Sequence, residues 1–356
     1  MAVLVTRPAP DNDRSATALR ARGFEVLLAP MLRFEPVALP DEAGRDAAAV
    51  IVTSSNALRA AAPQLARSAL LTLPLFAVGD HTAAAARQAG FTQVMLLARD
   101  LVGHPDGWRA AVQEVKDSGL RVTGFQVLRD FEGLSGHLHD YKVDIAKSMM
   151  EMCHALDCHV MLACSSTSTH ATGDKDKLVQ DLRKLAMLAI PMNIRIAFEA
   201  LSWGRSINEF PQAWDIIAEA DMPNLGLGFD SFHMFATKTP MEDLELLDPD
   251  KIFLVQLADF MWNEIKTVEE RISTARTFRV FPGEGVHSDA LAALVLKLHQ
   301  LGYRGDYSFE VFNDDYQQMP LDVVARRAQK AALWLGEDVL RRSVPLPNAL
   351  RLKRTG

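Results

Sequence analysis

The chain has 356 residues, 49% of them hydrophobic and 23% charged, and its 38 basic and 45 acidic side chains leave a net charge of −7. Those proportions are the averages of soluble globular proteins and exclude disordered, collagen-like and coiled-coil classes. The acidic residues are scattered, which leaves no electrostatic footprint for nucleic acid or an anionic membrane. The length points to two domains, or to one large α/β barrel with an appendage, and a small-molecule enzyme is the class that remains.

The opening MAVLVTRPAP has a short apolar run with no basic flank before it, and reads as a first buried strand and not a signal peptide. No apolar run reaches the roughly 18 residues of a membrane span. Cys153, Cys158 and Cys164 form no CxxC pair and read as reduced, part-buried thiols, so the cytoplasm is the expected address. Short β-rich runs then alternate with helix-length stretches to the end of the chain, the pattern of α/β with a parallel sheet. The predicted strands are Ala2–Thr6, Glu25–Leu28, Val50–Thr53, Leu75–Val78, Gln93–Leu97, Val122–Val127, His159–Ala163, Ile194–Phe198, Leu225–Phe229, Ile252–Val255 and Tyr307–Phe309. Eleven strands exceed one (β/α)8 barrel. Near residue 98 the composition shifts from Ala- and Arg-rich helices almost without Lys to a region frequent in Lys, Met, Asp and Trp, which suggests two ancestries.

Chemistry begins in the second region. Four successive strand-like runs end in an oxygen-bearing side chain: IRIAFE at Glu199, LGLGFD at Asp230, IFLVQ at Gln256 and YSFE at Glu310. In a parallel barrel the C-terminal strand ends converge on one mouth. Three carboxylates held there repel one another unless a cation lies between them. Ligation by oxygen alone suits a hard divalent metal ion, Mg²⁺ or Mn²⁺, with Co²⁺ also compatible. Singly, each of these residues reads equally well as a satisfied acid at a strand end.

Asp230-Ser-Phe-His233 places an imidazole three residues beyond a proposed ligand, where His233 serves as a proton acceptor, with a supporting or ligating role as the alternatives. Arg129 follows another strand, and Arg276 and Arg279 precede the turn Phe281-Pro-Gly-Glu-Gly285. Guanidinium groups around an acidic metal site imply a small anionic substrate, since Arg grips a carboxylate or phosphate bidentately. The plainer reading pairs them with surface acids such as Asp130 or Glu132. Other features carry less. His137-x-His139 reads as a solvated loop pair, Ser165 to His170 as ordinary loop chemistry that could line the mouth, and no glycine spacing supports a dinucleotide site.

The segments RDFEG (Arg129–Gly133), EALSWG (Glu199–Gly204), DSFH (Asp230–His233), LVQLAD (Leu254–Asp259), FPGEG (Phe281–Gly285) and FEVFND (Phe309–Asp314) resemble bacterial 3-dehydroshikimate dehydratases, within the xylose-isomerase-like TIM barrels. The likeness covers residues 99 to about 340. It implies that Glu199, Asp230, Gln256 and Glu310 hold the metal and that His233 lies beside the substrate. Relatives often read SRHxRxFPG before the turn. Here Arg276 and Arg279 match, while Ala275 and Thr277 replace the serine and histidine. The first part, with Val5-Thr-Arg-Pro8, Leu28-Ala-Pro30, Val52-Thr-Ser-Ser-Asn-Ala57 and Phe76-Ala-Val-Gly79, resembles the N-terminal part of uroporphyrinogen-III synthase. Half of such a two-domain enzyme does not predict synthase activity.

The implied fold is a TIM (β/α)8 barrel of xylose-isomerase-like type carrying an N-terminal flavodoxin-like β-α-β-α segment. Residues 1–73 are the synthase-like segment, 74–340 the barrel, with 74–98 derived from the synthase side, and 341–356 a basic tail. Six strands from Val122 onward cannot close alone, so Leu75–Val78 is expected to pair with Tyr307–Phe309, Gln93–Leu97 to pair with Val122–Val127, and the helix through Ala83 to Gln88 to join them. The relatives' second strand usually reads like EIFENDL, whereas Met95 to Leu101 keeps only Asp100 and Leu101. The implied reaction is metal-dependent dehydration of 3-dehydroshikimate to protocatechuate. The metal acidifies a carbon beside the ketone, His233 takes the proton, and Arg129, Arg276 or Arg279 holds the ring carboxylate. A sugar or sugar-phosphate isomerase/epimerase of the same superfamily and a catalytically inactive chimeric scaffold are the alternatives. Neither nucleic acid nor membrane is an expected partner, and self-association into a homo-oligomer is left open.

Overall fold

A computed structural model describes residues 2–6, 11–31, 50–52, 75–77 and 90–341. The helix expected through Ala83 to Gln88 and most of the basic tail lie outside these residues. All eleven expected strands are present, with ends moved by at most two residues. The chain divides into two compact units, Met1–Thr82 and Ala83–Gly356.

In the first unit, β1 (Ala2–Val5) pairs in parallel with β2 (Glu25–Leu28). Helix Asp11–Arg20 joins them, and Val5, Ala16 and Val26 form a small buried cluster. A second parallel pair joins β3 (Val50–Val52) to β4 (Leu75–Ala77).

This pairing corrects the expected closure of the barrel. Leu75–Ala77 takes Val50–Val52 as its partner and not Tyr307–Phe309. The prediction rested on β4 being apolar on both faces, a property that buries a strand without choosing its neighbour.

The second unit holds a seven-stranded parallel sheet in sequential order: β5 (Gln93–Leu97), β6 (Arg121–Arg129), β7 (Val160–Cys164), β8 (Arg195–Glu199), β9 (Leu225–Asp230), β10 (Ile252–Leu257) and β11 (Tyr307–Phe309). The expected pairing of Gln93–Leu97 with the next strand is observed, with Gln93 opposite Arg121. Edge strands β5 and β11 nevertheless approach each other. Arg121 makes two hydrogen bonds to Asp306, at 2.9 and 3.1 Å, and Ser308 Oγ lies 3.7 Å from Met95 Sδ. Among the described residues the sheet is therefore a nearly closed barrel of seven strands.

Strands β7 and β9 read VMLAC and LGLGFD and are buried throughout, as strands covered on both faces require. Helices Gly136–Ala155, Lys175–Ala189, Phe210–Ala220 and Ser288–Leu301 surround the sheet with apolar faces built from Met150, Leu182, Ile217 and Leu294 among others. Inside the ring, Leu162, Ala197 and Leu254 form a separate cluster against which Met95 and Val127 pack. Among the described residues no helix is long and apolar enough to cross a membrane.

Candidate active site

Strand register brings the predicted ligands to one level. Glu199 ends β8 opposite Cys164, Asp230 ends β9 opposite Gln256, and Gln256 stands opposite Ser308, two residues before Glu310. Glu199, Asp230 and Gln256 are almost wholly buried. Donor atoms of Glu199, Asp230 and His233 lie within 4.8 Å of one another. Glu310 joins this cluster through Arg279, whose Nη1 donates to Asp230 Oδ2 at 2.7 Å and to Glu310 Oε2 at 3.0 Å.

The arrangement is electrostatically loaded. Burial first, then Asp230 and Glu310, pushes the Glu199 carboxyl well above the usual carboxylate range. Burial likewise raises Glu310, with Asp230 adding to the effect against the Arg279 charge. At Arg279 burial opposes the charge, but Asp230 and Glu310 outweigh it and hold the guanidinium protonated. Its ring-face contact with Phe232, 4.5 Å from the centroid, completes an enclosed setting. The backbone fixes Arg279 as well: its N–H donates to Phe312 O, its carbonyl accepts from Asn313 Nδ2, and neighbouring Val280 bridges to Asp259.

A divalent cation fits these donors. Glu199 Oε1 and Gln256 Oε1 are buried without a hydrogen-bond partner among the described residues, an arrangement that costs free energy unless a cation uses them. The three-residue cluster contains two of the four expected ligands together with His233, whose ligating role was one alternative.

His233 is buried, and Ser202 faces its Nδ1 twice, through Oγ at 3.0 Å and through the backbone N–H at 3.2 Å. The Ser202 backbone N–H can only donate, so Nδ1 accepts and the neutral ring carries its hydrogen on Nε2, which faces Asp230 Oδ2 at 3.7 Å. Burial and then the Arg279 charge push the imidazole well below its ordinary pKa, so the ring is neutral at pH 7. Trp203 and Phe232 pack edge-on against it.

Above these groups lies a cavity of about 40 Å³ bordered by Arg129, Cys164, Glu199, Trp203, His233, Arg276, Arg279 and Glu310. Arg129 and Arg276 are exposed and pair with no carboxylate among the described residues, whereas Arg279 is committed to Asp230 and Glu310. Helix Val268–Thr277 carries Arg276 and begins at a reciprocal cap between Thr267 and Glu270. The FPGEG turn is pinned by buried Asp259, which accepts from Gly285 N, His287 N and Ser288 Oγ. A Cβ at Gly285 would lie 2.3 Å from Asp259 Oδ1, so only glycine allows this approach. A larger cavity, about 480 Å³, opens at the opposite ends of the strands, where Arg121 and Asp306 neutralise each other.

Several supporting residues escaped the sequence reading. Cys164 donates from Sγ to Glu199 Oε2 at 3.0 Å, Ser202 orients His233, and buried Glu132 accepts from Ser166 N. Ser202 and Trp203 sit inside the EALSWG motif, which was the available signal. His139 corrects an expectation: it is buried in helix Gly136–Ala155, 3.1 Å from Lys184 Nζ and packed against Phe131. The loop from Ser165 ties the mouth together through Ser165 Oγ, which accepts from Leu201 N, and through Thr167 N, which donates to Asp130.

The profile of the xylose isomerase-like TIM barrel family matches residues 83–337. The chain belongs to that family. A profile for uroporphyrinogen-III synthase HemD matches residues 13–103, so the two likenesses overlap at β5 and the short helix after it. Among curated proteins, 3-dehydroshikimate dehydratases of Pseudomonas aeruginosa and Pseudomonas putida are 36% and 34% identical over 72% and 70% of this chain. The chain spans only 40% and 38% of their respective lengths. A solved xylose isomerase-like TIM barrel/4-hydroxyphenylpyruvate dioxygenase fusion protein superposes with a TM-score of 0.68 at 33% identity, covering 75% of this chain and 43% of the other. IOLI protein, crystallised with a zinc atom, shares the fold with a TM-score of 0.63 at 22% identity over 73% of this chain and 93% of its own.

Proposed function

We propose that the barrel unit is a metal-dependent lyase that dehydrates 3-dehydroshikimate to protocatechuate. The observation that carries the reading is a buried cluster of Glu199, Asp230 and His233 in which Glu199 Oε1, like nearby Gln256 Oε1, has no hydrogen-bond partner among the described residues, bordered by Arg129 and Arg276, which pair with no carboxylate among those residues. The dehydratase relatives support the same reaction.

Arg129 and Arg276 hold the ring carboxylate, which orients the ring without taking part in proton transfer. Glu199, Asp230, Gln256 and Glu310 hold the metal, with His233 beside it. When bound, a divalent cation of the Mg²⁺, Mn²⁺ or Co²⁺ kind supplies Lewis acidity to the substrate ketone and so acidifies the adjoining C–H. His233 takes that proton at Nε2 in the tautomer with hydrogen on Nδ1, facing Ser202 Oγ; reaching it moves the ring hydrogen off Nε2 and breaks the donation from the Ser202 backbone N–H. The β-hydroxyl departs as water with the proton that His233 took, and tautomerisation then gives the aromatic ring.

The pairing of β4 with β3 favours a second reading, a folded scaffold without turnover, because among the described residues the barrel sheet has seven strands. One experiment separates them. The full chain is loaded with Mn²⁺ and incubated with 3-dehydroshikimate while catechol absorbance is followed. Rising absorbance that chelation abolishes is expected. Activity unchanged after complete chelation would refute the metal mechanism, and Mn²⁺ binding without any absorbance change would refute the substrate assignment. Neither binding nor turnover would establish the scaffold.

A further inference from the structure

Gln256 is the one proposed ligand that carries no charge, and its usefulness to a cation depends on which end of its amide is presented. A carboxamide has an oxygen that accepts and an NH₂ that only donates, so the wrong sense turns two N–H groups toward a cation. In this chain the NH₂ end faces two acceptors. Nε2 lies 3.2 Å from Gln126 Oε1 and 3.8 Å from Met95 Sδ, and the carbonyl oxygen is buried without a hydrogen-bond partner among the described residues.

Met95 favours one sense of this network. A thioether sulfur accepts weakly and has no hydrogen to donate, so of the two amide ends only the nitrogen gains a hydrogen bond by facing it. Ser308 Oγ also donates to the same sulfur, at 3.7 Å. Gln126, almost wholly buried on β6, then meets Gln256 with its own oxygen. The space around Met95 is tight: a Cβ at Gly124 would lie 3.2–3.3 Å from three Met95 atoms, so the absence of a side chain there gives the thioether its place.

We propose that Gln126 and Met95 are positioning residues that fix the sense of the Gln256 amide, leaving its carbonyl oxygen as the end open to a divalent cation. This rests on the metal reading above. It also gives β5, a strand at the edge of the barrel and inside the region of mixed likeness, a defined part in the site.

The test is Mn²⁺ titration calorimetry on the full chain and on Gln126→Leu, Gln256→Glu and the double variant. Loss of an orienting partner typically weakens metal binding by about 10–100-fold, and that loss is expected for Gln126→Leu. In the Gln256→Glu background both ends of the side chain are oxygens, so adding Gln126→Leu should change affinity by less than about threefold. An equal loss in both backgrounds would mean that Gln126 only packs the site, and affinity within threefold for Gln126→Leu alone would equally overturn the proposal. Should Gln126→Leu fail to fold, Met95→Leu removes the other acceptor at nearly constant volume. A loss confined to the chain with Gln256 is again expected, and no loss overturns the proposal. If the unmodified chain binds no Mn²⁺, the metal reading falls and this proposal with it. Binding by the unmodified chain with no effect of Gln126→Leu removes the proposal alone.

Discussion

Replacing Arg279 by Met probes the electrostatics of the site directly. Arg279 is 2% exposed, and its Nη1 bonds two buried carboxylates at 2.7 and 3.0 Å. Removing one partner of a buried ion pair typically costs about 3–5 kcal/mol, because the other charge stays behind uncompensated. In a unit of this size each kcal/mol lowers Tm by roughly 2–4 °C, so a fall of about 6–20 °C is expected for the metal-free chain. All five tryptophans lie in the barrel unit, so a fluorescence melt reports that unit alone. The deficit must also depend on pH. Glu199 and Glu310 titrate above the usual carboxylate range in the folded chain, so the folded state holds protons that the unfolded state has released. Stability from these groups is therefore present below the ordinary carboxylate pKa and is lost as pH rises, and removing the cation steepens that loss. The Met variant should lag behind the unmodified chain more at pH 8 than at pH 5. Mn²⁺ at about a hundred times its dissociation constant should return roughly 2.7 kcal/mol. A melt within 1 °C of the unmodified chain at both pH values would refute the view that Arg279 neutralises this cluster.

Other perturbations address single roles. Glu310→Ala should abolish turnover and weaken Mn²⁺ binding while the chain stays folded, as followed by calorimetry and circular dichroism; intact turnover would remove Glu310 from the site. His233→Asn should retain metal occupancy and lower the rate about 10²–10⁴-fold, the range for a lost general base; collapse of occupancy would make it a ligand. Burial raises Glu132 to about 8, so its contribution to stability is complete below the ordinary carboxylate pKa and is lost as pH rises toward and through 8. Glu132→Gln should flatten that part of the stability profile in urea titrations at pH 6 and pH 9, and an unchanged slope would refute the shift.

Periodicity and turn residues located every strand, because apolar runs such as VMLAC and LGLGFD admit few other readings. The level of Glu199, Asp230, Gln256 and Glu310 was legible for the same reason: once the strands are parallel and sequential, their last residues must meet. Two things were not legible. Partner choice for Leu75–Ala77 depends on which edge is offered, a long-range property that a three-residue strand does not encode. The burial of His139 and the roles of Cys164 and Ser202 depend on contacts between elements far apart in sequence, such as Cys164 with Glu199 and Ser202 with His233. Arg279 lies between these cases. Its presence near the mouth was readable from the FPGEG turn, but its engagement with Asp230 and Glu310 follows from the bridges that hold its backbone between Asp259 and Asn313.

The cluster draws mainly on strands inside the sheet. Glu199, Asp230, His233 and Gln256 come from β8 to β10 and the segments that follow them, each of these strands having a neighbour on both sides, whereas Glu310 follows β11, at the end of the sheet. Any weakening falls first on β5 and β11, the strands at the two ends of the described seven-stranded sheet, before it displaces any one ligand. Met95 is the point at which the two effects meet, since it packs inside the ring and also faces the amide of Gln256. Disturbance of the β5 edge should therefore reach the chemistry first as a reoriented Gln256, with Glu199 and Asp230 still in place.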